Sequence, residues 1–379
     1  MQIGVPKETG EHEKRVALIP ESVKKLVAKN VDVLVQSTAG VESNFSDIDY
    51  QNVGATISDT SSSVYSNSDL IVKIQKPLIE EAQLIKEGAI LLALLQPTTN
   101  IKLIQQLASK GITSFSLDAI PRIARAQRMD VLSSQSSIAG YKAAIIAADN
   151  LSIHLPMMMT AAGTMPPARG LVVGAGVAGL QAIATGRRLG ALMYAYDVRP
   201  VVKEQVESLG ATFIDESTYE ASNTETDGGY ARAQSEEEQN RTQNLLESAV
   251  ANSNFIITTA QIPGKSAPTL ITKTMVETMD AGSVIVDLAA ESGGNCELTS
   301  LNKTVIHNGV KIIGPANLPS TMPQHASQMF SRNVASFIDL LLDNNSLVVD
   351  LEDSIIKESM ITYGNEVFDE KTLEAIRNV

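Results

Sequence analysis

Four scarcities bound the reading of this 379-residue chain. Cysteine occurs once, at Cys296, so no internal disulfide can form and the chain fits a reducing compartment. Histidine occurs at His12, His154, His307 and His325 only, and these scattered positions with one cysteine describe no metal site. Positive charge is short: 30 Lys and Arg against 43 Asp and Glu give a formal net charge of −13. Nucleic acid and anionic lipid both need a basic face, so that balance argues against either as a partner. Long apolar runs are also missing. The longest, Ala89 to Leu95, is far below the ~20 residues that span a bilayer and reads as a buried strand. The start, Met1-Gln-Ile-Gly-Val-Pro-Lys-Glu, lacks the basic-then-apolar order of a signal peptide. What the chain does have is apolar material, 44% of residues, enough for a sizeable core, and a length that suggests two domains.

The first ~130 residues alternate strand and helix signals. Gln2 to Val5, Val31 to Gln36, Leu70 to Ile74, Ala89 to Leu95 and Thr113 to Ser116 read as strands. Helices are expected from Pro20 to Leu26, Ile79 to Ile85 and Ile101 to Ser109, the first opened by its proline. Such alternation means a parallel sheet with covered faces. The alanine-rich Tyr141 to Asn150 reads as a helix between domains. Later strands are expected at Ala211 to Ile214, Phe255 to Thr259, Val284 to Leu288 and Lys311 to Ile313, then a long amphipathic helix, Gln328 to Leu342. The predicted fold class is α/β: two Rossmann-like domains with parallel sheets. The first is discontinuous, 1–135 plus 322–379, and the second covers 136–321. The polar stretch Ala221 to Gln243, with Gly228-Gly229 and the aromatic Tyr230, reads either as a solvated excursion or as a flap over a ligand.

Between the two alternating regions lies Gly-Ala-Gly-Val-Ala-Gly, Gly174 to Gly179. An apolar strand precedes it, an apolar-periodic helix follows, and a second strand ends on Asp197, about 23 residues after Gly174, the context a dinucleotide-binding turn requires. Gly174 permits the tight turn, Gly176 the approach of a pyrophosphate, and Gly179 close packing of helix on strand. Asp197 suits ribose hydroxyls and opposes a 2′-phosphate, so NAD(H) is favoured over NADP(H); Arg199 weakens that preference slightly. Two further loops follow strands and would face the same crevice, Thr258-Thr-Ala-Gln-Ile-Pro-Gly-Lys265 and Asp287-Leu-Ala-Ala-Glu-Ser-Gly-Gly-Asn295.

Three segments carry a family resemblance: Pro121-Arg-Ile-Ala-Arg-Ala-Gln-Arg-Met-Asp-Val-Leu-Ser-Ser-Gln-Ser-Ser-Ile-Ala-Gly-Tyr141, Met157-Met-Met-Thr-Ala-Ala-Gly-Thr-Met-Pro-Pro-Ala-Arg169, and Gly228-Gly-Tyr230. Together they resemble the NAD(H)-binding subunit, or domain I, of proton-translocating NAD(P) transhydrogenase, over essentially the whole chain. The resemblance implies hydride transfer between NAD(H) here and NADP(H) on a separate domain III, coupled to proton movement through a membrane domain II. It implies that Arg122, Gln127 and Asp130 hold the nicotinamide end, with Ser133 beside them. It also implies that Gly229 and Tyr230 form a mobile loop, and that Val177, Asp197, Val198, Arg199, Thr259, Ala260, Gln261 and Glu291 join the glycines at the cofactor. A homodimer is implied too, on the cytoplasmic face of a membrane complex, without insertion of this chain. Catalysis would then be positioning, two nicotinamide carbons brought within roughly 3–3.5 Å with water excluded.

The same fold family includes alanine dehydrogenase, the main rival. Lys7-Glu8, Arg15-Val16 and Lys73 resemble that enzyme's substrate region. Its catalytic histidine would fall after the Ala89-to-Leu95 strand, where this chain has Gln96-Pro97. Oxidising an amine moves protons and needs an acid–base group, whereas transfer between two nicotinamides does not. A nucleotide-binding module without turnover is the remaining alternative.

Overall fold

The computed structural model describes residues 1–214, 246–262, 265–343 and 345–378. They divide into two units, Met1–Gln135 with Ser320–Val379, and Ser136–Pro319. Each is built on one mixed sheet whose core strands run parallel, the α/β class that the alternation predicts.

In the first unit the six parallel strands lie side by side as Thr56–Ser58, Asp32–Gln36, Gln2–Val5, Leu70–Gln75, Ile90–Leu94 and Thr113–Ser116. In chain order that is the 3-2-1-4-5-6 sequence of a doubly wound sheet. Its central strands read as unbroken apolar runs because helices cover both faces, with Lys73 the buried exception. Two strands from the chain's end, Met360–Tyr363 and Glu366–Val367, add antiparallel to Thr113–Ser116. The helix Pro323–Leu341 buries its apolar stripe, Phe330, Val334, Phe337, Ile338 and Leu341. Phe337 meets Phe115 edge-to-face with ring centres 5.5 Å apart, a geometry that adds about 0.5–1.5 kcal/mol to plain burial.

The second unit repeats the order with Thr212–Phe213, Leu192–Tyr196, Arg169–Val173, Phe255–Thr258, Val284–Asp287 and Val310–Gly314. An antiparallel Lys303–His307 closes the far edge. Its core lies on both faces of the sheet: Val172, Ile183, Met193, Phe255 and Ile257 on one, Leu171, Ile256, Ile285, Leu246 and Val250 on the other.

Several boundaries differ from the sequence reading. The helix read from Tyr141 begins at Val131 and runs to Asn150, and the division between the units falls within it. Its first half is rich in serine, a weak helix former, which hid the start. The helix read from Gln328 begins at Pro323, where proline's missing N–H costs nothing in the first turn. The segment 157–169 holds an exposed hairpin, Met158–Thr160 with Gly163–Met165.

Candidate dinucleotide site

The glycine turn stands at the carboxyl end of Arg169–Val173, where the strand order of the second sheet reverses, the place open α/β sheets bind ligands. Gly174 has φ +98°, a left-handed conformation. Gly176 is the N-cap of the helix Val177–Arg188, and no side chain caps that end. A Cβ on Gly179 would lie 1.9 Å from the Gly174 carbonyl oxygen, so only glycine lets helix and turn meet there. A Cβ on Gly176 would meet nothing within 4 Å. Open space above Gly176, at a helix end carrying partial positive charge, fits a pyrophosphate.

Asp197 follows the strand Leu192–Tyr196 and faces the turn. Its Oδ2 accepts from the Ala175 N–H at 2.7 Å. Arg199 grips the same carboxylate, its backbone N–H at 2.9 Å, Nε at 3.0 Å and Nη2 at 3.0 Å. Arg199 therefore does more than sit near the acid: it orients it. Val198 between them is half-buried, and Val177 at the helix start is exposed.

The two later loops join the turn through polar contacts. The Thr259 hydroxyl donates to the Gly174 carbonyl at 2.9 Å. Ala260 is bracketed by Asn295, whose Oδ1 accepts from the Ala260 N–H at 2.9 Å and whose Nδ2 donates to the Ala260 carbonyl at 2.8 Å. Asp287, fully buried, accepts from the Thr258 and Thr299 hydroxyls at 2.8 and 2.6 Å. It also accepts from the N–H groups of Ala289, Asn295 and Cys296 at 3.0, 2.7 and 3.1 Å. Burial pushes the neighbouring Cys296 thiol up to about 11, making it inert. Gln261 is exposed and donates to the Leu288 carbonyl at 3.3 Å; Glu291 is exposed on the turn Ala290–Ser292. Asp287 and Asn295 stand in the sequence only as the ends of a loop segment. An acid closing an apolar strand and an asparagine after Gly-Gly were the available signals.

Arg122, Gln127, Asp130 and Ser133 belong to the first unit, the glycine turn to the second. Arg122 and Gln127 are exposed, and Gln127 lies on the 3-10 turn Ala124–Met129. Asp130 caps the helix that begins at Val131, accepting from the Ser133 N–H at 2.8 Å and its hydroxyl at 2.5 Å. The loop is anchored from both flanks. Arg125 forks onto Asp353 with two 2.6 Å bonds, and these hold the Asp353 carboxyl below the usual carboxylate range against its partial burial. Asn333 donates to the Arg128 carbonyl at 2.8 Å and accepts from the Ser134 hydroxyl at 2.7 Å. Gly229 and Tyr230 lie outside the described residues.

The reversal point of the first sheet holds a buried charge cluster instead of a glycine turn. Arg15 forks onto Glu13 at 2.7 and 2.6 Å and donates to the Gln135 carbonyl oxygen at 2.7 Å. The Lys73 ammonium lies 3.5 Å from Glu8 and 3.6 Å from Glu81. Burial alone would depress the lysine, but Glu8, Tyr65 and Glu81 together carry it above its ordinary value; burial pushes Glu8 up despite Lys73. Gln96, after Ile90–Leu94, has φ +46°. Among the described residues no group of three His, Cys, Asp or Glu is placed to hold a metal ion.

Two family models match this arrangement, Alanine dehydrogenase/PNT, N-terminal domain, over residues 4–139, and Alanine dehydrogenase/PNT, C-terminal domain, over residues 143–370. The chain belongs to the alanine dehydrogenase/PNT family. Within that family it is 46% identical over 369 residues to the first of the chains that make up NAD(P) transhydrogenase subunit alpha in Rhodospirillum rubrum, covering 96% of both. It superposes on a transhydrogenase from Sinorhizobium meliloti with a TM-score of 0.88 at 40% identity, over 97% of this chain and all of that one. An alanine dehydrogenase of Staphylococcus saprophyticus is 30% identical over 368 residues, covering 93% of this chain and 92% of its own. Among the described residues no helix is long and apolar enough to cross a membrane.

Proposed function

We propose that this chain is the NAD(H)-binding component of a proton-translocating, Re/Si-specific transhydrogenase. It exchanges hydride with NADP(H) held on a separate domain III, and a membrane domain II couples the exchange to proton movement. The observation that carries the reading is the glycine turn, closed at Gly179, open at Gly176 and faced by Asp197. When bound, NAD(H) supplies the hydride at its nicotinamide ring. The N–H groups at the start of Val177–Arg188 take the pyrophosphate, and Asp197 takes the adenosine ribose hydroxyls, with Val198 and Arg199 alongside. Thr259, Ala260, Gln261 and Glu291 bound the nicotinamide side. Arg122, Gln127 and Asp130, with Ser133, orient the carboxamide and its ribose, for which the amide of Gln127 offers both donor and acceptor. Gly229 and Tyr230 serve as a loop that excludes water. The chain works as a homodimer on the cytoplasmic face of the membrane, attached through its partner subunits.

No general base is required by this reaction, which agrees with Gln96-Pro97 standing where an amine-oxidising relative needs an acid–base group. The test is an assay of the purified chain. NADH fluorescence should reveal binding, and hydride should pass from NADH to an NADP+ analogue only after a transhydrogenase domain III is added. Alanine-dependent reduction of NAD+ by the chain alone overturns the proposal. Binding with neither activity leaves a nucleotide-binding module in its place.

A further inference from the structure

We infer that Asn295 is a positioning residue for the nicotinamide end of the proposed site, fixing the backbone at Ala260. The inference rests on the NAD(H) reading above and adds a residue that makes no cofactor contact of its own.

The loop after Phe255–Thr258 lies where the strand order reverses, beside the glycine turn. The Ala260 nitrogen is 3.1 Å from where a Gly174 side chain would begin, so any shift of that peptide moves the wall next to the turn. A peptide just past a strand end has lost its ladder partners, and a polar backbone group left unpaired there is costly. Asn295 replaces the ladder. Its carboxamide accepts from the Ala260 N–H and donates to the Ala260 carbonyl, as a neighbouring strand would, and its second N–H reaches the Pro268 carbonyl at 2.9 Å.

Only one side chain does this from that position. Aspartate matches the shape but has no donors, leucine pairs nothing, and glutamine places the amide a methylene too far. Asn295 is itself fully buried and held, because its N–H donates to Asp287, the same carboxylate that takes the Thr258 hydroxyl. On the opposite side Thr259 ties the loop to the Gly174 carbonyl. The peptide at 260 is thus clamped between two anchors. Such preorganisation serves a group that must be held to sub-ångström tolerance.

The experiment uses the full chain and two probes, NADH and ADP-ribose, the second sharing the adenosine and pyrophosphate but lacking the nicotinamide. Asn295→Asp should weaken NADH at least tenfold and ADP-ribose less than twofold. Thr259→Val, at a half-buried position, should shift the ratio of the two affinities in the same direction by a smaller factor, and it decides the matter if Asn295→Asp does not fold. Hydride transfer with added domain III should fall further than NADH binding accounts for. Equal weakening of both probes, or no change in either, overturns the inference. A parent chain that binds ADP-ribose and NADH not at all overturns the cofactor reading instead.

Discussion

Replacing Gly176 by alanine adds one methyl group to a backbone that already sits at φ −75° and ψ −169°, angles any residue adopts. The methyl meets nothing within 4 Å, so the fold should tolerate it within about 0.5 kcal/mol. A pyrophosphate approaching that backbone does not tolerate it. Losing one charge-assisted hydrogen bond, roughly 1.5–3 kcal/mol, raises the NADH dissociation constant about 10- to 150-fold. Gly179→Ala gives the complementary result. Its methyl would start 1.9 Å from the Gly174 oxygen, well under the 3.0 Å that real contacts respect, and the obstacle is backbone rather than a movable side chain. The helix must retreat at a cost of about 1–3 kcal/mol. For a unit of this size that lowers the melting temperature by roughly 2–12 °C. Thermal melts and NADH fluorescence titrations on both variants separate the two effects. A Gly176→Ala chain that binds NADH as tightly as the parent refutes the pyrophosphate assignment. One that melts several degrees early refutes the open space above the turn.

Three further outcomes are expected. Asp197→Asn should weaken NADH about tenfold and narrow the preference over NADPH, read by competition titration, since the amide repels a 2′-phosphate less than a carboxylate does. Lys73→Met leaves Glu8 buried without its cation and should cost about 3–5 kcal/mol in urea unfolding, most of it recovered in Lys73→Met/Glu8→Gln. With its pKa already raised by burial, Glu8 holds its proton longer in the folded chain, so the single variant should regain stability as pH falls and lose it as pH climbs through the raised value. Arg125→Ala should let the Asp353 carboxyl return toward its ordinary range, seen by NMR titration. The depressed pKa means the pair's contribution is present above the ordinary carboxylate range and lost as pH falls through the depressed value, so the variant should lack that acid-side loss. The same variant should slow hydride transfer through its loosened loop.

The parallel strands were legible because each is a short apolar run bounded by turn residues; Gln2–Val5 and Thr113–Ser116 match the reading residue for residue. The glycine turn was legible because a phosphate-binding loop needs glycines at fixed spacing. The chain's last two strands were not. Met360–Tyr363 finds its ladder partner far away in sequence, at Thr113–Ser116, and only the Gly364-Asn365 turn hints at a hairpin. The supports of the candidate site were hidden for the same reason. Arg125 and Asp353 are ordinary surface residue types until the fold sets them 2.6 Å apart. Asn295 reads as a turn residue until burial turns its amide toward Ala260.

The order in which these strands leave the ribosome has a cost of its own. Thr113–Ser116 is an edge until Met360–Tyr363 covers it, through the ladder and the 2.7 Å contact between the hydroxyls of Ser114 and Thr362. About 240 residues, the whole second unit among them, are synthesised in between. At roughly 5–20 residues per second the edge stays bare for about 12–50 s. An uncovered strand of this kind templates pairing with other chains. Nascent chains of this protein should therefore depend on chaperones most during that interval, and truncations ending before residue 360 should aggregate through an edge that the finished molecule never exposes.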